Sequence, residues 1–248
     1  MESFTNLFNV VLYQPLFNVL VMIYRYLPGH DFGMAVILLT VLIRLALYFP
    51  TLQALKSQKI LSELQPKIKE IQERFKNDKE KQAKETMALY QKERINPFGG
   101  CLPLLIQLPI LFAIYQVFWK GFQPETMNLV YSFLPRPEQI NPMFLGVVNM
   151  ATPSLILAIL AGVVQFFQAW HQNKFGSSAL KPKGKRSDHF SGMLQKQMLY
   201  FFPIFTVFIL FKLPSAVGLY WLATSLFSIL QQHLVFSKGY GTNKSQKS

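Results

Sequence analysis

Cysteine is nearly missing from this 248-residue chain. Cys101 stands alone, which excludes an intrachain disulfide and any CxxC or multi-cysteine metal centre. Four scattered histidines, with no HExxH, leave little for a histidine-based metal site. No GxxxxGKS/T sequence is present, so a phosphate-cradling loop of that type is excluded as well. Charge is also thin: Asp, Glu, Lys and Arg make up 15% of residues, against about a quarter in ordinary soluble domains. Acidic residues are the scarcer sign, 12 against 25 basic ones, for a net charge of +13. None of the 12 lies in a long apolar run, which argues against a proton- or cation-coupled transporter, since these place acids within the membrane.

Apolar residues account for 51% of the chain and aromatics for 15%, which excludes disorder. Five apolar runs approach the ~20 residues that cross a bilayer: Phe32–Leu55, Leu102–Trp119, Thr152–Trp170, Met198–Phe211 and Pro214–Phe236. The fourth is 14 residues long, or roughly 21 Å of helix, and needs local thinning or flanking residues to span. Lys212-Leu213-Pro214-Ser215 joins it to the fifth as a tight hairpin. The fold class expected is therefore an all-α membrane protein with five transmembrane helices.

Basic residues accumulate on the cytoplasmic side of membrane proteins. Lys56–Ile95 holds 11 of them, Gln172–Gln197 six and the tail after Phe236 three, while the intervening segments hold Arg25, Lys120, Arg136 and Lys212. This pattern predicts five crossings with the N-terminus outside and the C-terminus in the cytoplasm. The organisation expected is an outer N-terminal segment (1–31), a first span (32–55), a cytoplasmic helical hairpin (56–95), four further spans (96–236) and a short cytoplasmic tail (237–248). An outer loop (121–151) and a basic cytoplasmic loop (172–197) connect the later spans.

Phe4–Leu27 is apolar but interrupted by Asn6, Asn9, Gln14 and Asn18, with Pro15 near its middle. It carries no basic leader or small-residue cleavage site, and reads as an amphipathic helix lying in the outer interface; the alternative is a sixth crossing. In the hairpin, Ile60 or Leu61, Leu64, Ile68, Ile71 and Phe75 form a narrow seam at coiled-coil spacing. Pro66 is expected to kink this arm or to begin a new helix. Asn77-Asp78-Lys79 supplies a turn, and Ala83, Met87 and Tyr90 continue a similar seam. Eleven basic and seven acidic residues either solvate this helix pair or make it a docking platform, with Lys67, Lys69, Arg74 and Lys76 as the docking positions. Lys181-Pro182-Lys183-Gly184-Lys185-Arg186, after Gly176-Ser177-Ser178, reads as a mobile basic loop. Gly121–Ala151 carries Pro124, Pro135, Pro137 and Pro142 and reads as irregular or broken into short helices.

Arg44 lies well inside the first run, where a central arginine costs roughly 2.5–3.5 kcal/mol to insert and is by default a functional hypothesis. The plainer reading is an arginine that snorkels to the interface as an anchor. With no acid in any run, its partners are expected to be water and neutral acceptors, leaving it open to a carboxylate from elsewhere. Gln107, Gln165, Gln168, Ser228, Gln231 and Gln232 fall toward the cytoplasmic ends of their runs, with Gln116 an exception near the outer end, and Trp221, Ser225, Ser228 and Gln232 share one helical face by 4-3-4 spacing. Singly, such residues are interhelical glue. Together with Arg44 they suggest a wet cavity open to the cytoplasm and sealed outside.

At these residues the chain closely resembles the YidC/Oxa/Alb membrane protein insertase family, from about Gln14 to Gln232. Gln14-Pro15-Leu16-Phe17 resembles the family's interfacial helix, Thr40-Val41-Leu42-Ile43-Arg44 its first conserved span, and Glu63-Leu64-Gln65-Pro66-Lys67-Ile68-Lys69 the start of its cytoplasmic hairpin. Asn96-Pro97-Phe98-Gly99-Gly100-Cys101-Leu102-Pro103-Leu104-Leu105-Ile106-Gln107-Leu108-Pro109 is similar to the second-span signature along its length. Gln195-Lys196-Gln197-Met198, Phe202-Pro203, Leu219-Tyr220-Trp221 and Gln231-Gln232 are similar to the final hairpin. Departures are Leu213-Pro214-Ser215-Ala216-Val217 where Phe-Pro-Ala-Gly-Leu is common, and Thr224-Ser225 where Ser-Asn is usual. The sequence shows neither the large periplasmic domain and signal-anchor span of many Gram-negative members nor the lipobox cysteine common in Gram-positive ones.

The resemblance implies a non-enzymatic, cofactor-free insertase and chaperone of the bacterial cytoplasmic membrane, acting both without and alongside the Sec translocon. It implies five helices around a hydrophilic groove in the cytoplasmic leaflet, with Arg44 as the groove charge and Gln107, Gln165, Gln168, Trp221, Ser225 and Ser228 as its substrate-contacting lining. The implied partners are nascent membrane proteins, the lipid bilayer, the ribosome and targeting receptor, and the Sec translocon; DNA is not among them. The residues alone leave two other readings open: a small-anion transporter or channel using Arg44, and a chaperone that binds partner spans laterally without inserting them.

Overall fold

The computed structural model describes residues 2–93, 102–121, 123–137, 139–176 and 197–237. The basic loop at 177–196, the stretch 94–101 of the second-span signature and the tail from 238 lie outside them. The described chain is nearly all helix. In order it runs α1 (Glu2–Phe8), a π-helical turn (Asn9–Tyr13), α2 (Gln14–Tyr26), a 3₁₀ turn (Pro28–His30), α3 (Phe32–Ala46), α4 (Tyr48–Arg74), α5 (Lys79–Lys92) and α6 (Leu102–Lys120). There follow a 3₁₀ helix (Pro124–Leu129), two short strands β1 (Met143–Phe144) and β2 (Val148–Asn149), α7 (Leu155–Gly176), a π-helical turn (Gln197–Phe201), α8 (Phe202–Leu210) and α9 (Ser215–Ser237).

Two stretches, Thr5–Tyr26 and Leu155–Gln172, are long and apolar enough to cross a membrane; α3 with the start of α4, Tyr48–Leu61, passes the same test as a broken pair. Ile106–Lys120 and Leu199–Leu210 are shorter apolar helices. The expected run 32–55 is thus not one helix. It is interrupted at Leu47, which leaves helical backbone geometry (φ −89°, ψ 6°). Apolar content alone did not mark this break, because the sequence stays apolar through Leu55.

The chain divides into two compact units. The first comprises residues 1–47, 104–165 and 203–227. Its core is aromatic and aliphatic: Phe17, Phe32, Phe118 and Tyr220 are fully enclosed with Leu20, Leu39 and Ile114, and the Phe32 and Phe118 rings meet edge to face at 6.2 Å. Outward-facing residues of the same helices are also apolar, among them Leu38 and Leu42 on α3, Phe112 on α6 and Ile156 on α7. Helices apolar on both faces suit a lipid surround and not water.

Asn18 does not merely interrupt the N-terminal helix. Its Nδ2 donates to the carbonyls of Gln14 (2.8 Å) and Leu129 (3.0 Å), and its Oδ1 accepts from Tyr131 N–H (2.7 Å). Gln14 Nε2 donates to the same Leu129 carbonyl (3.1 Å). The polar residues of this helix therefore hold the 121–151 loop. Asn18→Ala strands the Tyr131 amide and is expected to cost about 2 kcal/mol, the price of a buried unpaired donor; equilibrium unfolding in detergent measures it.

That loop is more ordered than its prolines suggest. After the 3₁₀ helix it forms an antiparallel pair, with Phe144 opposite Val148. Three helices start close to this loop or its end, and some of their first N–H groups, which have no partner within the helix, are taken up there. Asp31 accepts Met34 N–H at 2.8 Å to cap α3, and its second oxygen accepts Leu145 N–H. Ser154 Oγ accepts Leu157 N–H of α7 at 3.5 Å. The carbonyls of Thr152 and Met150 accept the N–H groups of Ser215 and Ala216 at 3.0 and 3.1 Å, closing the start of α9.

The second unit comprises residues 48–103, 166–202 and 228–248. Here α4 and α5 form an antiparallel pair, with Asp78 capping α5 through Lys81 N–H (3.0 Å). Pro66 lies inside α4, which runs on to Arg74, so no new helix begins there and the helix tolerates one missing hydrogen bond. Leu64 and Ile68 are buried at the α4 seam. The return seam differs from the Ala83–Met87–Tyr90 pattern, because Ala83 and Met87 are exposed. The packed side is Gln82, Thr86, Leu89 and Tyr90, turned by the bond from Gln82 Nε2 to the Gln72 carbonyl (2.8 Å). Burial raises the Tyr90 phenol above its ordinary range.

Candidate functional site

On α3 the packed face runs through Val36, Leu39, Thr40, Ile43 and Arg44, while Leu38, Leu42 and Leu45 point outward. The 3.6-residue period places Arg44 in line with Thr40 and Val36, and Thr40 Oγ1 donates back to the Val36 carbonyl (2.7 Å). Arg44 is therefore on the protein side of the helix, 9% exposed, not on the lipid side where a snorkelling anchor belongs.

Its guanidinium Nη2 donates to Gln107 Oε1 over a long 3.4 Å. Gln107 in turn donates through Nε2 to the Tyr220 hydroxyl at 2.7 Å. The amide thus has its oxygen turned to the cation and its nitrogen to the phenol, an orientation that Tyr220, 1% exposed, holds in place. Among the described residues Arg44 makes no ion pair with an acid. A full positive charge set among neutral hydrogen-bonding groups attracts an incoming carboxylate without having to surrender one of its own.

A second polar pair sits in the same unit: Trp221 Nε1 donates to Gln165 Oε1 at 3.2 Å. Ser225, one turn along α9 from Trp221, is buried. Gln168 and Ser228 belong to the second unit, where both are half-buried. The first unit thus brings together Arg44 with Gln107, and Gln165 with Trp221.

Tyr220 escaped the sequence reading as a site residue. The 4-3-4 spacing selected the face of Trp221, one residue on, whereas the phenol that orients Gln107 lies on the neighbouring face. The available signal was a lone hydroxyl in an otherwise apolar run, Ala216-Val217-Gly218-Leu219.

In the second unit Gln231 Nε2 donates to Thr51 Oγ1 (2.9 Å) and to the Tyr48 carbonyl (3.2 Å), and Gln172 Nε2 donates to Gln58 Oε1 (2.6 Å). Of the expected docking residues, Lys67 is committed to an ion pair with Glu93 at 2.8 Å that ties α4 to the end of α5. Lys69 is half-buried, and Arg74 and Lys76 are exposed.

Helices with lipid-suited outer faces point to an integral membrane protein, one with a buried arginine, Arg44, bonded to a neutral amide. Residues 22–242 match the 60Kd inner membrane protein family. The chain is 34% identical over 209 residues to the membrane protein insertase YidC of Fusobacterium nucleatum subsp. nucleatum, covering 84% of this chain and 88% of that protein. It is 33% identical over 211 residues to membrane protein insertase YidC 2 of Listeria innocua serovar 6a, 84% of this chain and 64% of that protein. Against YidC of Geobacter metallireducens the identity is 31% over 227 residues, 91% of this chain but 37% of that longer protein. The chain belongs to the 60Kd inner membrane protein family.

Proposed function

We propose that the chain is a membrane protein insertase, working with and without the Sec translocon, whose Arg44 receives the polar tail of an incoming segment. The observation that carries this reading is a buried guanidinium whose hydrogen-bond partner is a neutral amide. Five crossings, the N-terminus outside, surround a groove that opens to the cytoplasm and shortens the apolar path. Gln107, Gln165, Gln168, Trp221, Ser225 and Ser228 line it, and the α4–α5 pair docks the ribosome and targeting receptor through Arg74 and Lys76, with Lys67 and Lys69 at its base.

An acidic tail enters beside Arg44 and leaves outward as its apolar helix slides into lipid. Burial of that helix contributes roughly 25 cal/mol per Å² of apolar area. An inside-negative potential adds about 2.3 kcal/mol per 100 mV for each negative charge moved out. The step needs no nucleotide.

Purified protein in liposomes, without nucleotide, is expected to insert a small substrate with an acidic translocated tail well above the level of empty liposomes. Protease protection of the tail measures it. Equal protection with and without the protein overturns autonomous insertion.

A further inference from the structure

The turn between β1 and β2 is built against the usual chemistry of exposed turns. Leu145 and Gly146 both have positive φ, 50° and 69°, and Val147 N–H closes the turn on the Phe144 carbonyl at 3.0 Å. Turns with two positive φ values favour Asn-Gly or Asp-Gly, because a branched aliphatic residue is strained there. Here the strained residue is leucine, and it is 67% exposed beside Val147 at 81%. In water this tip combines backbone strain with exposed apolar surface and has nothing to offset either. From residue 139 to 173 the sequence contains no Asp, Glu, Lys or Arg.

Position identifies the occupant. Leu145 N–H is bonded to the Asp31 side chain that caps α3, so the tip is level with the first turn of an apolar helix. Five residues separate β2 from α7, which begins with Leu155 and Ile156, exposed at 53% and 72% on a helix long and apolar enough to cross a membrane. The apolar tip is therefore continuous with a lipid-facing surface. We infer that the β1–β2 tip is a lipid anchor: Leu145 and Val147 are immersed at the headgroup–acyl boundary of the leaflet at this end of α3. Aromatic and aliphatic side chains favour that depth. The anchor does not depend on what the protein inserts, only on its residence in a bilayer.

The test uses the full chain with Cys101→Ala, carrying Val147→Cys labelled with an environment-sensitive fluorophore, in phosphatidylcholine–phosphatidylglycerol liposomes. Lys79→Cys on α5 is the water-exposed reference, and Leu145→Cys is a second tip site should Val147→Cys fold poorly. The tip probe is expected to emit to the blue of the reference. It should resist aqueous iodide several-fold better, and be quenched by lipids brominated about 5–10 Å below the headgroups. A tip probe that responds to iodide like the Lys79→Cys probe overturns the anchor. So does one shielded from iodide yet untouched by brominated lipid, which would mean that protein covers the tip.

Discussion

Arg44→Ala is expected to slow insertion of a substrate with an acidic translocated tail by between about tenfold and a hundredfold, and to slow a neutral-tailed substrate much less. A carboxylate held about 7 Å from a guanidinium, at an effective dielectric near 20, gains about 2 kcal/mol, and each 1.36 kcal/mol is about tenfold in rate. The protein itself should remain folded. Removing a buried charge relieves its desolvation, which offsets the lost contact to Gln107. Arg44→Lys keeps the charge but shortens its reach and should fall between. Rates from protease protection in liposomes decide the matter: an equal loss for both substrates removes charge capture from the mechanism.

Gly33→Leu is expected to be the most damaging single change in the first unit, lowering stability by about 3 kcal/mol or more, as overpacking a rigid contact does. A Cβ at position 33 would overlap the Phe144 ring. That ring cannot retreat freely, because Phe144 is paired with Val148 and the next residue is bonded to Asp31. The double variant Gly33→Ala, Phe144→Ala should recover most of the loss seen with Gly33→Ala alone. Unfolding midpoints in detergent measure the coupling between the two sites. Additive losses would mean that the contact carries no strain.

The helices of this protein are readable where one physical quantity decides them. An apolar run bounded by charge or proline sets α6 and α9 to within one residue of the run itself: 102–120 against an expected 102–119, and 215–237 against 214–236. Where two forces compete, the pattern fails. Leu47 ends α3 inside a run that stays apolar. On α5 a single amide-to-carbonyl bond turns the packed side away from the apolar stripe. The β1–β2 turn was invisible because Leu-Gly is not a turn signal.

For the site, Arg44, Gln107, Gln165 and Trp221 stood out as polar groups in apolar helices, where burial without a partner is costly. Tyr220 did not, since half its side chain is as apolar as its neighbours. Lys67 read as a free charge because its partner Glu93 is 26 residues away in the chain, a closeness that only the folded hairpin creates.

The helix starts gathered at the 121–151 loop bear on how a tail would depart. An open helix N-terminus is a ready trap for anions. Here the Asp31 carboxylate takes up one leading amide of α3, the Ser154 hydroxyl one of α7, and the Thr152 and Met150 carbonyls two of α9. Each of these starts therefore offers fewer open amides to an anion. On the insertion route proposed above, a negatively charged tail would be held most firmly beside Arg44 and less firmly at these capped helix starts, an arrangement suited to letting go.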